Sequence, residues 1–570
     1  MEKKLGVYIC ACGGNISDYV DIEKVKEAIK EEGGVYLAKT TMFACGDSNQ
    51  KDMVADIKEN NLSGIVVASC SPKLHLTTFR NVSIRAGLNQ YNYVHANIRE
   101  QASWAHSDNK VGATEKAIHL VKAAIAKARL AKSLEPIKIE TQQSVAVIGA
   151  GVAGLKAAIT LAGMNDTVHL IEREKVVGGK IASIDVVSPE KVSGKSLVSR
   201  LKKEVENSKN ITLYTETQVI KSSGQIGDFK LTLSDKNGEK SKLNVGTVLV
   251  ATGFDSYTPA NGEFGFNEIK NVLTLPEFKE LVSISGNEKL CLNAREINNI
   301  AFIYCVGSRQ IKGDNKYCSR FCCTAAIQSA LDVHDKFPQI RSYHFHKGIR
   351  TYGKQELIYK QSNANGDLYI QFPDKDLPVV SCDENGVISV KSKDILSAKK
   401  EVEANVDLVV LVTGMVPDKD LTIGNLFKLP KGRDNFFNEI HPKLRPVETS
   451  IDGITIAGTC QAPKNVSESV NSALAAAAKS HSFISKKELE LEPIIAVVNH
   501  NACEWCDECT KACPFNAITA ITEAGKQVAQ INKSTCKGCG MCLPVCPTDA
   551  IDLKTFTNRE VEDMIDILAK

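Results

Sequence analysis

Long apolar runs are missing from this chain. Nowhere in its 570 residues is there a stretch of the ~18 to 20 apolar residues that a membrane span requires, so no span is expected. A surplus of charge of one sign is missing too. The formal net charge of +3 gives no argument for nucleic acid or an anionic membrane as partner. The opening MEKKLGVYIC lacks a signal peptide's longer apolar core and small-residue cleavage site, so the cytoplasm is the expected compartment. Disulfide frameworks are not sustained there, and 19 cysteines point instead to metal or redox centres. Hydrophobic residues at 43% and charged residues at 24% describe an ordinary soluble protein, while the length suggests roughly three to five domains.

What is present is organised around the stretch from Ser144 to Arg173, SVAVIGAGVAGLKAAITLAGMNDTVHLIER. A short apolar strand leads into Gly149-x-Gly151-x-x-Gly154, then an Ala-rich helix, then a second strand ending at Glu172. Gly149 permits the tight turn, Gly151 lets backbone approach a pyrophosphate, and Gly154 lets helix pack close on strand. The helix start, with Ala150, Val152 and Ala153, offers free N–H groups to phosphate oxygens. Glu172 stands where an acid would bond a ribose hydroxyl, with Arg173 beside it. A lone GxGxxG is weak, and an ordinary βαβ turn is the plain alternative. Strand, helix, second strand and acid in register make this a dinucleotide site.

Residues 1–135 read as an N-terminal α/β domain. LGVYIC is a strand running into Cys10 and Cys12, GIVVAS a second strand ending at Cys70, and Ala113 to Arg129 a long amphipathic helix. Cys10, Cys12, Cys45 and Cys70 lie near strand ends or in loops, but their separations match no standard cluster run, and buried or loop thiols are the simpler reading. Residues 140–285 read as the first half of a flavoprotein-type domain. Val177-Gly178-Gly179-Lys180 resembles the loop that closes over a pyrophosphate in flavoproteins, which adds Gly179 and Lys180 to the candidates. The strand ending at Val250 runs into Ala251-Thr252-Gly253, a turn that many two-dinucleotide flavoproteins place near the cofactor, where glycine allows close backbone approach. Residues 415–490 return to the same domain. Asp452 to Cys460 resembles the returning flavin motif, contributing Gly458 and Thr459, and Ser469 to Lys479 is an Ala-rich helix whose N-terminus could face the flavin.

Between these halves lies an inserted unit, 286–414. In pyridine-nucleotide disulfide oxidoreductases it binds NAD(P)H through a second GxGxxG. Here the strand IAFIYC is followed by Val306-Gly307-Ser308-Arg309 and no second fingerprint, and the flavin half lacks a C-x4-C dithiol. The insertion holds Cys305, Cys318, Cys322 and Cys323 instead. On a helix start, Cys318 and Cys322 share a face and Cys323 sits about 100° round. With Cys305 brought back, four thiolates suffice for an iron–sulfur cluster. Buried thiols or one regulatory disulfide satisfy the same spacing.

Residues 491–570 carry the sharpest signal. Cys503-x2-Cys506-x2-Cys509-x3-Cys513-Pro and Cys536-x2-Cys539-x2-Cys542-x3-Cys546-Pro state the bacterial two-cluster ferredoxin run twice. In such runs the fourth cysteine serves the other cluster. Cys503, Cys506, Cys509 and Cys546 are expected on one 4Fe–4S cluster, and Cys536, Cys539, Cys542 and Cys513 on the other. Both runs end in Ala-Ile, as paired strands of such a module would. Val561, Met564, Ile565 and Leu568 are spaced as one face of a C-terminal helix that packs on its own domain or docks a partner.

With these residues placed, the chain closely resembles the family of A-type subunits of heterodisulfide reductase over nearly its whole length. The match includes CACGGNI near Cys10, ASCSPKLH near Cys70, ANIREQASW at Ala96, the flavin fingerprint, YCVGSR, YCSRFCC, RTYGK at Arg350, HPKLRP at His441, AGTCQAPK and the terminal ferredoxin module. The resemblance implies a thioredoxin-reductase-like α/β flavoprotein fold with a C-terminal ferredoxin-like α+β domain, a non-covalent FAD, and a third 4Fe–4S cluster on Cys305, Cys318, Cys322 and Cys323. It implies one component of an anaerobic electron-transfer complex, with B- and C-type subunits, a hydrogenase or dehydrogenase, and ferredoxin as partners. Two departures matter. Residues 180–250 contain no cysteine, so the internal ferredoxin insert of the methanogen-type relatives is absent. Gln328 stands where flavin-bifurcating members have a lysine, which withdraws support for bifurcation. The expected function is an electron hub between a two-electron carrier and one-electron iron–sulfur carriers. The alternatives are a self-contained NAD(P)H-dependent oxidoreductase resembling the glutamate synthase small subunit, and a cluster-bearing adaptor that never turns over.

Overall fold

The computed structural model describes residues 3–184, 186–187, 192–286 and 288–569. Lys570, the end of the expected tail helix, lies outside them. The chain forms two compact units, Met1–Ile139 with Glu490–Lys570, and Glu140–Leu489. Among the described residues no helix is long and apolar enough to cross a membrane.

In the first unit, residues before 140 build a four-stranded parallel sheet in the order Val35–Thr41, Leu5–Cys10, Gly64–Ser69, Tyr93–Asn97. Leu5–Cys10 and Gly64–Ser69 are buried at every position, as continuous apolar runs at the centre of a parallel sheet must be. Helix Lys110–Leu130 shares a core with these strands through Ala117, Val121 and Ala124. The strand order reverses between Leu5–Cys10 and Gly64–Ser69.

The last 81 residues of this unit, Glu490–Lys570, hold two short antiparallel ladders, Ala496–Val498 with Ile551–Leu553 and Ile518–Glu523 with Lys526–Ile531. The Ala-Ile steps after each cysteine run do open strands, but they pair elsewhere: Ile518 faces Ile531 and Ile551 faces Val498. Helix Asn558–Leu568 starts in a capping box between Thr557 and Glu560, and it packs on helix Lys110–Leu130. The packed side carries Glu560, 3% exposed, and the preceding Phe556, whose ring centre is 3.0 Å from Lys127 Nζ. Val561, Ile565 and Leu568 of the expected apolar face are exposed.

The second unit contains two parallel five-stranded sheets. The first runs Ile211–Tyr214, Thr167–Ile171, Ser144–Ile148, Thr247–Val250, Ile454–Ile456. Its last strand, Ile454–Ile456, comes from more than 200 residues after its neighbour Thr247–Val250. An antiparallel meander, Thr217–Gln225, Asp228–Asp235 and Lys240–Val245, occupies the stretch without cysteine. The inserted sheet runs Val272–Thr274, Leu408–Thr413, Asn299–Val306, Arg341–His346, Leu368–Gln371. Its edge strand, Val272–Thr274, lies ahead of residue 286 because it pairs in parallel with Leu408–Thr413. A two-residue ribbon, Asp255–Ser256 with Met415–Val416, pairs the segments that lead into and out of the insertion.

Candidate functional site

The glycine loop is built as its spacing requires. Gly149 has φ +100, and a Cβ there would stand 2.5 Å from the Ala251 carbonyl oxygen. A Cβ on Gly154 would stand 1.8 Å from the Gly149 oxygen. Gly151 differs: a Cβ there would meet nothing within 4 Å, so its face is open. Gly151 also caps helix Val152–Gly163, whose first N–H groups, on Val152, Ala153 and Gly154, have no partner within the helix. The second loop is laid against the first. The Gly178 N–H donates to the Ala150 carbonyl at 2.7 Å, and a Cβ on Gly179 would lie 3.3 Å from the Gly151 Cα. The Thr252–Gly253 and Gly458–Thr459 turns come to the same loop: Thr252 Cα is 3.2 Å from the Gly149 Cβ position, and a Cβ on Gly458 would be 2.8 Å from that of Ala153.

Glu172 is buried at the end of its strand. Its carboxylate accepts from the Ala150 N–H at 2.7 Å and from the Glu174 N–H at 3.0 Å. A carboxylate has about four lone-pair sites, so capacity for a ribose hydroxyl remains. Arg173 points instead to Asp418 and Asp420, at 3.5 and 3.7 Å, and Lys180 to Asp255 at 3.8 Å. A cleft of open glycine backbone, free helix N–H groups and a buried acid fits a dinucleotide pyrophosphate and its ribose.

In the insertion, Cys305 ends a buried strand at φ +62, and Cys322 and Cys323 open helix Cys322–Lys336. Cys318 is not on that helix. Arg320 adopts a left-handed φ of +62, which breaks the expected helical register, and its N–H donates to Cys318 Sγ at 3.3 Å. The loop still delivers the thiols to one another. Cys322 donates to Cys323, which lowers the Cys323 pKa and raises that of Cys322, and Cys305 and Cys318 add to the raising of Cys322. Burial pushes Cys305 up to about 11, with the Cys323 charge adding to it. Arg309 and Arg350 supply positive charge beside Cys323. Four mutually close, largely buried thiols with cations at hand fit an anionic iron–sulfur cluster. This set occupies the strand end and helix start where a nicotinamide fingerprint would lie.

In the terminal module, Cys513, Cys536, Cys539 and Cys542 line one cavity, with Ile518 and Phe515 beside them. Three of these belong to the second run and Cys513 to the first. Cys503 and Cys506 likewise perturb Cys509. Cys546 packs against the buried core that holds Cys503 and Cys509. The two halves repeat in their hydrogen bonds: Cys513 Sγ accepts from the Ala517 N–H and Cys546 Sγ from the Ala550 N–H, both at 3.3 Å. Among the described residues no group of three or more His, Cys, Asp or Glu is gathered tightly enough for a single metal ion. A single ion needs its sulfurs ~2.3 Å from one point, whereas a four-iron cluster spreads its ligands around a larger body.

The N-terminal thiols are less scattered than their spacing suggests. Cys10 ends one strand, Cys45 follows the next, and Cys70 follows the third, all at the sheet edge where the order reverses. Cys12 and Cys45 perturb both Cys10 and Cys70, and Arg99 donates to Cys12 Sγ at 3.7 Å. Burial raises Cys10 to about 11. The places of these thiols near strand ends were legible in the sequence, but the strand order that brings those ends together was not.

Two family models match. The pyridine nucleotide-disulphide oxidoreductase model covers residues 143–291, and the 4Fe-4S dicluster domain model covers residues 496–553. Among curated proteins, the chain is 32% identical to the second A-type iron-sulfur subunit of the CoB–CoM heterodisulfide reductase of Methanopyrus kandleri, over 92% of each chain. It is 33% identical to the A-type subunit of the H(2):CoB-CoM heterodisulfide,ferredoxin reductase of Methanothermobacter marburgensis, over 91% of each. Among solved structures, thioredoxin reductase of T. acidophilum aligns over 60% of this chain and 100% of its own, with 16% identity and a TM-score of 0.42. Fold and site define a flavoprotein oxidoreductase with a pyridine nucleotide-disulphide oxidoreductase domain and a C-terminal 4Fe–4S dicluster domain. More narrowly, the chain belongs to the family of A-type iron–sulfur subunits of heterodisulfide reductase.

Proposed function

We propose that this chain is the FAD- and 4Fe–4S-containing electron-transfer subunit of a heterodisulfide-reductase-like complex, exchanging electrons between a two-electron partner and one-electron iron–sulfur carriers. The observation that carries this reading is the gathering of Cys305, Cys318, Cys322 and Cys323 where a nicotinamide would dock. FAD, when bound, takes electrons in pairs and releases them singly, and each cluster carries one at a time. The chain's own residues do the rest. Gly149, Ala150, Gly151, Val152, Ala153 and Gly154 cradle the pyrophosphate, Gly179 and Lys180 close over it, and Glu172 holds the ribose. Arg173 stays in the set through its place beside Glu172. Ala251, Thr252, Gly253, Gly458 and Thr459 form the remaining wall. Three cluster sets follow, two in the terminal module and one in the insertion, within domains running 1–135, 140–285, 286–414, 415–490 and 491–570. Gln328 is fully buried, and its side-chain N–H donates to Asp332 at 2.8 Å. It brings no positive charge, and bifurcation is not part of the proposed function. The named relatives reduce CoB–CoM heterodisulfide, some with ferredoxin, and partners of that kind, with B- and C-type subunits, are proposed for this chain in the cytoplasm.

The test is anaerobic purification with measurement of iron, sulfide and flavin. We expect about one FAD per chain, and Cys322→Ser should lose about four irons while the terminal module keeps its eight. Unchanged iron in that variant would remove the insertion from the cofactor set.

A further inference from the structure

Tyr317 and Ser319 of the cysteine loop touch Met415 and Phe436, and one charged side chain of the loop reaches further into the returning flavin-type half. Arg320 lies between Cys318 and Cys322, and its guanidinium grips Glu468 with both arms, Nη2 to Oε1 at 2.9 Å and Nη1 to Oε2 at 3.3 Å. Nη1 also donates to the Pro463 carbonyl at 3.4 Å, and Nη2 to the Tyr352 hydroxyl at 3.0 Å. Arg320 holds its left-handed φ of +62 while making all four contacts. A non-glycine residue in that region persists only where its surroundings over-determine it. The partner is not an arbitrary surface acid. Glu468 is in the first turn of helix Val466–Ile484, the helix whose start follows the returning Gly458–Thr459 turn, and its own N–H donates to the capping Asn465 side chain at 2.7 Å. The segments that lead into and out of the insertion pair with each other in a two-residue ribbon, Asp255–Ser256 with Met415–Val416. A ribbon that short does not by itself fix orientation.

Glu468 has a second consequence. A carboxylate in the first turn offsets the positive end of its helix. The bidentate guanidinium cancels that charge, so the helix start keeps its attraction for negative charge developing beside it.

We propose that Arg320 is a positioning residue that clasps the cysteine loop to the flavin-type half through Glu468 and, by neutralising that carboxylate, sets the potential of the flavin. The proposal rests on the flavin and cluster reading above. Its electrostatic half has a sign that a merely structural contact lacks. Removing the arginine charge alone leaves an unpaired carboxylate near the helix start and makes the flavin harder to reduce. Removing the carboxylate alone leaves an unpaired cation and makes it easier to reduce. Removing both returns it towards the parent.

The experiment is an anaerobic redox titration of flavin absorbance in the full-length, cofactor-loaded chain, with iron and FAD counted for every sample. The variants are Arg320→Gln, Glu468→Gln and the double variant. We expect Arg320→Gln to shift the midpoint down, Glu468→Gln to shift it up, and the double variant to fall between them. Glu468→Gln lies outside the cysteine loop and carries the test if Arg320→Gln fails to load iron. Midpoints identical to the parent in flavin-loaded variants, or shifts of the same sign in both single variants, overturn the proposal. Absence of FAD or of the insertion's irons from the parent chain overturns the underlying reading instead, and the two failures are told apart by the cofactor counts.

Discussion

Two glycines three residues apart in the same fingerprint should fail in opposite ways. At Gly154 an added methyl would sit 1.8 Å from the backbone oxygen of Gly149, which cannot swing aside as a side-chain end can. Overpacking of this kind costs ~1–3 kcal/mol and occasionally more, a large share of the ~5–15 kcal/mol that holds a domain together. Gly154→Ala should therefore lower the melting temperature of the apoprotein and yield little soluble flavin-bound chain. At Gly151 the same methyl meets nothing within 4 Å, and φ of −70 suits any residue. The chain-entropy gain of ~0.4–1 kcal/mol for glycine to alanine is offset by the poorer helix cap, worth about 0.5 kcal/mol or more. Gly151→Ala should leave the fold nearly unchanged. Its methyl would instead occupy the open face that the pyrophosphate approaches, so FAD affinity should fall at least about tenfold, ~1.4 kcal/mol. The assay pairs thermal melts of the apoproteins with FAD titration followed by flavin fluorescence. Parent-like FAD affinity in Gly151→Ala would refute the assignment of that face to the cofactor, and a parent-like melt in Gly154→Ala would refute the close helix–strand contact.

If the ligand sets of the terminal module cross, Cys536→Ser/Cys513→Ser should lose about four irons and Cys503→Ser/Cys513→Ser about eight; the reverse order of losses would mean uncrossed runs. NADPH or NADH alone should not bleach the flavin of the purified chain, since the nicotinamide fingerprint is replaced by thiols; rapid bleaching would restore the self-contained reductase. Burial holds His95 in the first unit and His346 in the second down to about 4, from an ordinary value near 6.5. Because the unfolded chain takes up these protons first, stability should fall as pH drops from about 6.5 to 4, by up to about 3 kcal/mol per residue, and level off below. Thermal melts across that range check the sign, and His95→Gln should flatten part of the acid limb.

The features most legible in the sequence are those whose chemistry is local. The Gly149 loop, its strands and Glu172 lie within thirty residues, and each ferredoxin run is closed within eleven. Patterns of that length state their own geometry. What was not legible depends on chain segments meeting from afar. Helical periodicity places Cys318 on the same helix as Cys322, yet the left-handed turn at Arg320 cuts the helix short, and only the distant Glu468 and Pro463 explain why that turn is held. The gathering of Cys10, Cys12, Cys45 and Cys70 depends on strand order, which spacing does not encode. The tail helix shows the limit of periodicity: its apolar stripe was visible, but the side it buries was chosen by Lys127 and the rest of a helix more than 400 residues earlier.

That last pairing bears on how the protein is made. The unit built from Met1–Ile139 and Glu490–Lys570 is completed only after the intervening Glu140–Leu489 has been synthesised. At ~5–20 residues per second, those roughly 350 residues take about 20 to 70 s. For that interval the nascent amino-terminal domain presents the uncovered side of helix Lys110–Leu130, with Lys127 lacking both Phe556 and Glu560. The flavin-type unit has all of its strands by then and can close first. Assembly order is thus written into the topology: the middle of the chain matures while its two ends are still waiting for each other.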